Sequence, residues 1–187
     1  MPKELPSHAK VAIIGGGVVG CATAYHLTKL GVNDVVLLER RNLTCGTTWA
    51  AAGLVVILRG TPEMVRMTRH GYELYRELEN ESEQPTGFIQ TGTINIATTE
   101  HRKHELELLE SLAESFGVVN LPISMEELQA RWPLINTEDV LSAYYMPNDA
   151  VVNPVDTTMS MVAGARKGGA KIFEDTEVLD FELKNGQ

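Results

Sequence analysis

The sequence predicts an α/β fold: a doubly wound parallel sheet over residues 8–60 and 150–187, interrupted by an excursion of helices and strands over 61–149. Three observations predict it. The apolar run Lys10-Val11-Ala12-Ile13-Ile14 leads into Gly15-Gly16-Gly17-Val18-Val19-Gly20, a G-x-G-x-x-G spacing set between a strand and a helix. The next apolar run, Val35-Val36-Leu37-Leu38, closes on the acidic Glu39, nineteen residues after Gly20. After the excursion, strand patterns return at Lys171-Ile172-Phe173 and over 177–183.

Each part of the opening β-α-β unit has a physical assignment. Gly15 serves the tight turn, Gly17 lets the backbone touch a pyrophosphate, and Gly20 allows close packing of helix on strand. The helix over 18–30 aims its N-terminal amides and positive dipole end at the phosphates. Glu39 stands where a carboxylate accepts both ribose hydroxyls, and it would repel a 2′-phosphate, so the pattern points to FAD or NAD rather than NADP. Arg40 and Arg41 read as solvated charge after the strand. The unit is Rossmann-like.

The following segment, Asn42-Leu43-Thr44-Cys45-Gly46-Thr47-Thr48-Trp49-Ala50-Ala51-Ala52-Gly53, is rich in small residues that let backbone approach a ligand closely. Thr61-Pro62-Glu63 then reads as an N-cap, a proline at N1 and a first-turn acid, for a helix to about residue 80 with Met64, Met67, Leu74 and Leu78 toward the core. The run 91–97 alternates as a half-buried strand. Thr98 or Thr99 caps a helix with Leu106, Leu109, Ala113 and Phe116 on one face, stopped by Gly117. Ser124-Met125-Glu126-Glu127 is a capping box for a short helix that Trp132-Pro133 ends. Residues 141–146 form another strand, and Asn153-Pro154-Val155-Asp156 starts a helix with Met159, Val162 and Ala163 inward and Gly168-Gly169 at its end. Tyr144 and Tyr145 are expected to divide between packing and solvent. The chain closes on Asn185-Gly186, a hairpin signal without its return strand, so the sequence reads as the N-terminal part of a longer protein.

Bulk properties narrow the partners. The chain has 187 residues, 43% hydrophobic, enough for a substantial core. A net charge of -9 without a basic block argues against nucleic acid and anionic membrane. No apolar run approaches the roughly twenty residues of a membrane span. Cys21 and Cys45 have no metal or disulfide spacing, which implies a reducing compartment, and with no targeting pattern in residues 1–10 the expected location is cytoplasmic. His101 and His104 stand among charged residues on a helix and read as a solvated face, not a metal site.

The stretches 11–24, 36–40, 43–54, 86–92 and 148–178 together resemble the flavin-dependent amine oxidoreductases of the D-amino-acid oxidase type, within them the sarcosine and dimethylglycine dehydrogenases. The most specific stretch is Gly46-Thr47-Thr48-Trp49-x-Ala51-Ala52-Gly53-Leu54. The resemblance implies an FAD-binding domain interrupted by the start of an α+β substrate domain. It implies that Gly15, Gly17, Gly20, Glu39 and Arg40 hold the dinucleotide. It further implies that Thr47, Thr48, Ala50, Ala51 and Gly53 line the pyrophosphate and flavin, and that Val178 lends its backbone to the adenine.

The implied chemistry is oxidation of a secondary or tertiary N-methyl amine by hydride transfer to the flavin, with an electron-transfer protein as one possible acceptor. Ala50 departs from the pattern: those dehydrogenases place there a histidine that carries the flavin covalently, and alanine has no nucleophile. FAD is therefore expected to bind without a covalent link. Catalytic residues are expected beyond Gln187, so none is named. A non-catalytic flavin-fold regulatory subunit is the alternative. An NAD-dependent dehydrogenase is weakened by the segment from Thr47 to Gly53.

Overall fold

The structure is a computed structural model that describes residues 4–183. In chain order its elements are β1 (Val11–Ile14), α1 (Val18–Lys29), β2 (Val35–Leu38), β3 (Leu54–Val55), α2 (Pro62–Ser82), β4 (Thr93–Ala97), α3 (Glu100–Ser115), β5 (Leu121–Ile123), α4 (Met125–Arg131), β6 (Ser142–Met146), β7 (Ala150–Val151), α5 (Pro154–Lys167) and β8 (Lys171–Phe173). The chain divides into two compact units.

The first unit comprises Met1–Gly53, Tyr75–Gly87 and Val152–Gln187. Its sheet is parallel, in the order β1-β2-β8, with Ile13 opposite Leu37 and Leu37 opposite Ile172. The central strand reads Val-Val-Leu-Leu and is almost entirely buried, as an all-apolar strand of a parallel sheet requires. Helices α1 and α5 pack on each other through two glycines. A Cβ on Gly164 would stand 2.7 Å from the Tyr25 ring, and one on Gly168 would stand 2.5 Å from Thr28.

Helix α5 starts because the Asn153 side chain accepts from the amides of Val155 and Asp156, with Pro154 in the first turn. It buries an unusual amount of hydroxyl. Ser160 donates to the carbonyls of Gln84 and Pro85 at 3.1 Å each, and Thr157 donates to the Thr86 carbonyl, so these groups are satisfied. The inward face is therefore Thr157, Thr158, Ser160, Met161, Val162 and Ala165, and the expected Met159 and Ala163 are only half-buried.

The second unit comprises Leu54–Leu74 and Phe88–Val151. Its antiparallel sheet runs β4-β6-β5, and its apolar clusters join Ala97, Leu106 and Tyr144 on one side and Leu128, Val140 and Ala143 on the other. Thr99 caps α3 by accepting from the Arg102 amide, and Ser124 caps α4 by accepting from Glu127. A two-stranded ribbon, β3 with β7, is extended by a bridge from Ile89 to Val151.

These units cut the chain elsewhere than at the expected 60/61 and 149/150. Residues 75–87 belong with the first unit because the end of α2 is fastened to α1: Glu81 accepts from the Tyr25 hydroxyl and from Lys29 Nζ. Residues 54–60 go with the second unit, where the Ile57 amide donates to Asp149 Oδ1 at 2.9 Å.

Three further expectations are corrected. The residues 177–183 form no strand: alternation alone does not make one without a ladder partner, and Leu179, Phe181 and Leu183 are 88%, 72% and 72% exposed. Met64 and Met67 are exposed and Leu74 is half-buried, whereas Leu78 is buried as expected, joined by Val65 and Tyr72. Tyr144 is buried and donates to Glu110, whereas Tyr145 is half-buried beside Trp132 and Arg131. The Asn185-Gly186 turn lies outside the described residues.

Candidate dinucleotide cradle

The cradle is built where β1 ends and α1 begins. Gly15 continues the β1–β2 ladder by donating to the Leu38 carbonyl and then turns with φ +107°, a conformation that favours glycine. A Cβ there would meet nothing within 4 Å, so space above the turn is open. At Gly20 the opposite holds: a Cβ would lie 2.0 Å from the Gly15 carbonyl oxygen, which is how tightly α1 packs on the strand end.

Gly17 is the N-cap of α1 and has no side chain with which to cap it. Thr48 supplies the cap from a distance, its Oγ1 accepting from the Val18 amide at 2.9 Å. This buried hydroxyl is also what limits Gly17, since a Cβ there would stand 3.2 Å from it. In its contact with the Val18 amide the Thr48 oxygen accepts, which leaves its own O–H proton to donate elsewhere.

Gly16 carries more of the geometry than the spacing suggests. Its amide donates to Glu39 Oε2 at 2.7 Å, and its carbonyl accepts from the Thr44 amide at 2.9 Å. A Cβ on it would run into Leu43 at 2.4 Å and Glu39 at 2.9 Å. The other Glu39 oxygen, Oε1, accepts from the Arg41 amide at 2.9 Å. Burial pushes the Glu39 carboxyl up, but the amides of Gly16 and Arg41 and the charge of Arg40 outweigh it and hold the carboxyl below its ordinary range. An ionised carboxylate with lone pairs to spare therefore stands at the end of β2.

Beneath the loop Cys21 is fully buried, its thiol near the Gly16 carbonyl at 3.5 Å. Burial first, then Glu39, pushes that thiol up to about 12, so it is inert.

The segment after β2 is clipped over this loop. Leu43 is buried, Thr44 adopts φ +67°, and Thr48 reaches the helix. Beyond these anchors Thr47, Ala50 and Ala51 are exposed, as is Arg40, so they face away from the core. Gly53 also meets a demand from within the protein. It turns at φ +71°, and a Cβ would lie 2.1 Å from the Val152 carbonyl oxygen.

Val178 is half-buried, two residues beyond Thr176, whose amide donates to the Glu39 carbonyl at 2.8 Å. The structure thus brings Gly15, Gly17, Gly20, Glu39 and Thr48 into direct contact with one another's neighbourhoods. Gly16, Leu43 and Glu174 were missed; only Gly16, inside the glycine run, had a local signal.

The open turn, the shared helix amides and the ionised Glu39 fit a dinucleotide. An apolar groove of about 580 Å³ along α1, lined by Val19, Ala22, Leu27 and Tyr75 among others, shares only Val18 with these residues. No group of three or more His, Cys, Asp or Glu among the described residues is placed to hold a metal ion, and no described helix is long and apolar enough to cross a membrane.

Residues 10–187 match the family described as FAD dependent oxidoreductase. This chain belongs to the FAD dependent oxidoreductase family. It is 39% identical over 183 residues to mitochondrial sarcosine dehydrogenase of Mus musculus, covering 97% of this chain and 20% of that protein. To human mitochondrial dimethylglycine dehydrogenase it is 41% identical over 177 residues, covering 95% and 20%.

A third relative is the mitochondrial pyruvate dehydrogenase phosphatase regulatory subunit of Mus musculus, 36% identical over 183 residues, with 98% and 21% covered. The crystal structure of L-proline dehydrogenase from P. horikoshii superposes with a TM-score of 0.89 at 28% identity, over 97% of this FAD dependent oxidoreductase chain and 48% of that one. The chain thus spans about a fifth of the length of the curated relatives it matches.

Proposed function

We propose that this chain is the FAD-holding part of an oxidoreductase acting on a secondary or tertiary N-methyl amine, of the class to which sarcosine and dimethylglycine belong. The observation that carries the reading is the cradle itself, with its segment 43–53 anchored at Thr44 and Thr48 over the glycine turn in a chain about 40% identical to dehydrogenases of those two amines. When bound, FAD supplies the two-electron acceptor that amine oxidation needs.

The chain's own residues bind and orient it. Glu39 accepts the ribose hydroxyls, the backbone of Gly15 and Gly17 and the first amides of α1 face the pyrophosphate, and Thr47, Thr48, Ala50, Ala51 and Gly53 leave room beside it. Arg40 adds positive charge at the rim, and the chain at Val178 passes the adenosine end. Ala50 offers no nucleophile, so the cofactor is held by these contacts alone.

A second reading, a non-catalytic flavin-fold regulatory subunit, is favoured by Ala50 and by the 36% identity to the phosphatase regulatory subunit. The visible spectrum of the FAD-loaded protein separates the two. Anaerobic addition of sarcosine or dimethylglycine bleaches the flavin band if the first reading holds. A flavin band that neither amine bleaches overturns it in favour of the second.

A further inference from the structure

Glu174 follows β8, at the far side of the chain from the glycine loop in sequence, yet its Oε1 accepts from the Leu43 amide at 2.8 Å across 131 residues. Leu43 is the point at which the segment 43–53 turns onto the cradle. Its side chain is 6% exposed and covers Gly16, and the next residue, Thr44, both bonds the Gly16 carbonyl and holds φ +67°. A β-branched residue stays in that left-handed region only where its surroundings over-determine it. Thr44 is tied to Gly16 beneath it and to the Trp49 amide within its own segment, and Glu174 ties the preceding Leu43 from outside both.

Its own position is fixed in turn. The residue lies between Phe173, whose carbonyl accepts from the Glu39 amide, and Thr176, whose amide donates to the Glu39 carbonyl. The end of β8 is therefore stapled on both sides to the residue that faces the ribose. The Glu174 side chain carries that rigidity across to the start of the cofactor segment.

From this juxtaposition we infer that Glu174 is a positioning residue for the cofactor: through the Leu43 amide it sets the height of residues 44–48 above the glycine turn. The inference rests on the reading that this segment borders FAD. Nothing in it requires Glu174 to touch the cofactor.

The experiment compares the wild-type chain with Glu174→Ala and Glu174→Gln by FAD titration, following flavin fluorescence, and by hydrogen exchange of residues 43–48 without FAD. Loss of a hydrogen bond to a charged group corresponds to about tenfold. Glu174→Ala is expected to weaken FAD binding by about that factor and to speed exchange at the Leu43 amide with the circular dichroism spectrum unchanged. Glu174→Gln, which keeps an acceptor at the same reach, is expected to restore binding to within about threefold of wild type.

If Glu174→Ala does not fold, Glu174→Asp carries the same expectation, its oxygen falling short by one methylene. Wild-type affinity and wild-type exchange in Glu174→Ala would overturn the inference, as would a folded Glu174→Gln no better than alanine. Failure of the cofactor reading looks different: the wild type itself then binds no FAD, while exchange at Leu43 still responds to residue 174.

Discussion

Replacing Glu39 by alanine removes the acceptor of two amides at once, Gly16 at 2.7 Å and Arg41 at 2.9 Å. A hydrogen bond to a charged group contributes roughly 1.5–3 kcal/mol when buried. Glu39 is half-buried, so water recovers part of each bond, and the expected loss of folding stability at neutral pH is about 2 kcal/mol. This loss is one of folding stability and is measured without cofactor, because both amides belong to the chain itself.

The pH dependence follows from the sign of the shift. The folded state holds this carboxyl below its ordinary value of 4.5, so its stabilisation is present above that value and is lost as pH falls through the lowered one. Urea unfolding of wild type and Glu39→Ala at pH 7, 5 and 3 measures it. The difference should be about 2 kcal/mol at pH 7 and should shrink toward zero in acid. A difference that is absent at pH 7, or that persists unchanged at pH 3, refutes the assignment of Glu39 as the ionised acceptor of the loop.

Gly20→Ala places a Cβ 2.0 Å from a backbone oxygen, and neither partner is a flexible side-chain end, so thermal unfolding should show a cost of about 3 kcal/mol or more. Gly46→Ala, where a Cβ meets nothing within 4 Å, is the control and should stay within about 0.5 kcal/mol; equal costs would contradict the packing described. Asp149 is 1% exposed, and burial pushes its carboxyl above 3.8 against the pull of the Ile57 amide, the Thr93 hydroxyl and Arg59. Its contribution is therefore full below that value and lost as pH rises through the raised one, so Asp149→Asn, which keeps an acceptor for Ile57, should gain stability relative to wild type between pH 4 and pH 8 in urea titrations. A relative stability independent of pH would show that Asp149 is not raised.

What the sequence made legible was local. The spacing of Gly15 and Gly20 encodes a positive φ and a helix-to-strand contact within six residues, and Thr99, Ser124 and Asn153 cap the helices they precede. These signals act over a few bonds, so composition and order carry them. The rest depends on distant residues meeting. Gly16 must be glycine because Leu43 and Glu39 close over it, Gly53 because Val152 passes beside it, and Leu43 is tied down from Glu174.

Residues 177–183 alternate as a strand does, yet a strand is a property of a pair, and among the described sheets none includes them. The expected faces of α2 and α5 hold at Leu78 and Val162 and differ at Met64, Met67, Met159 and Ala163. Buried hydroxyls on α5 find carbonyls at 84–86 that no hydrophobic pattern announces.

The most direct test is to load the protein with FAD, remove free cofactor by gel filtration, record the visible spectrum, and precipitate the protein with acid. A flavin band on the native protein, followed by a yellow supernatant over a colourless pellet, is the result predicted by the cradle with alanine at position 50. A protein that retains no flavin, or a pellet that stays yellow and fluorescent, would contradict it.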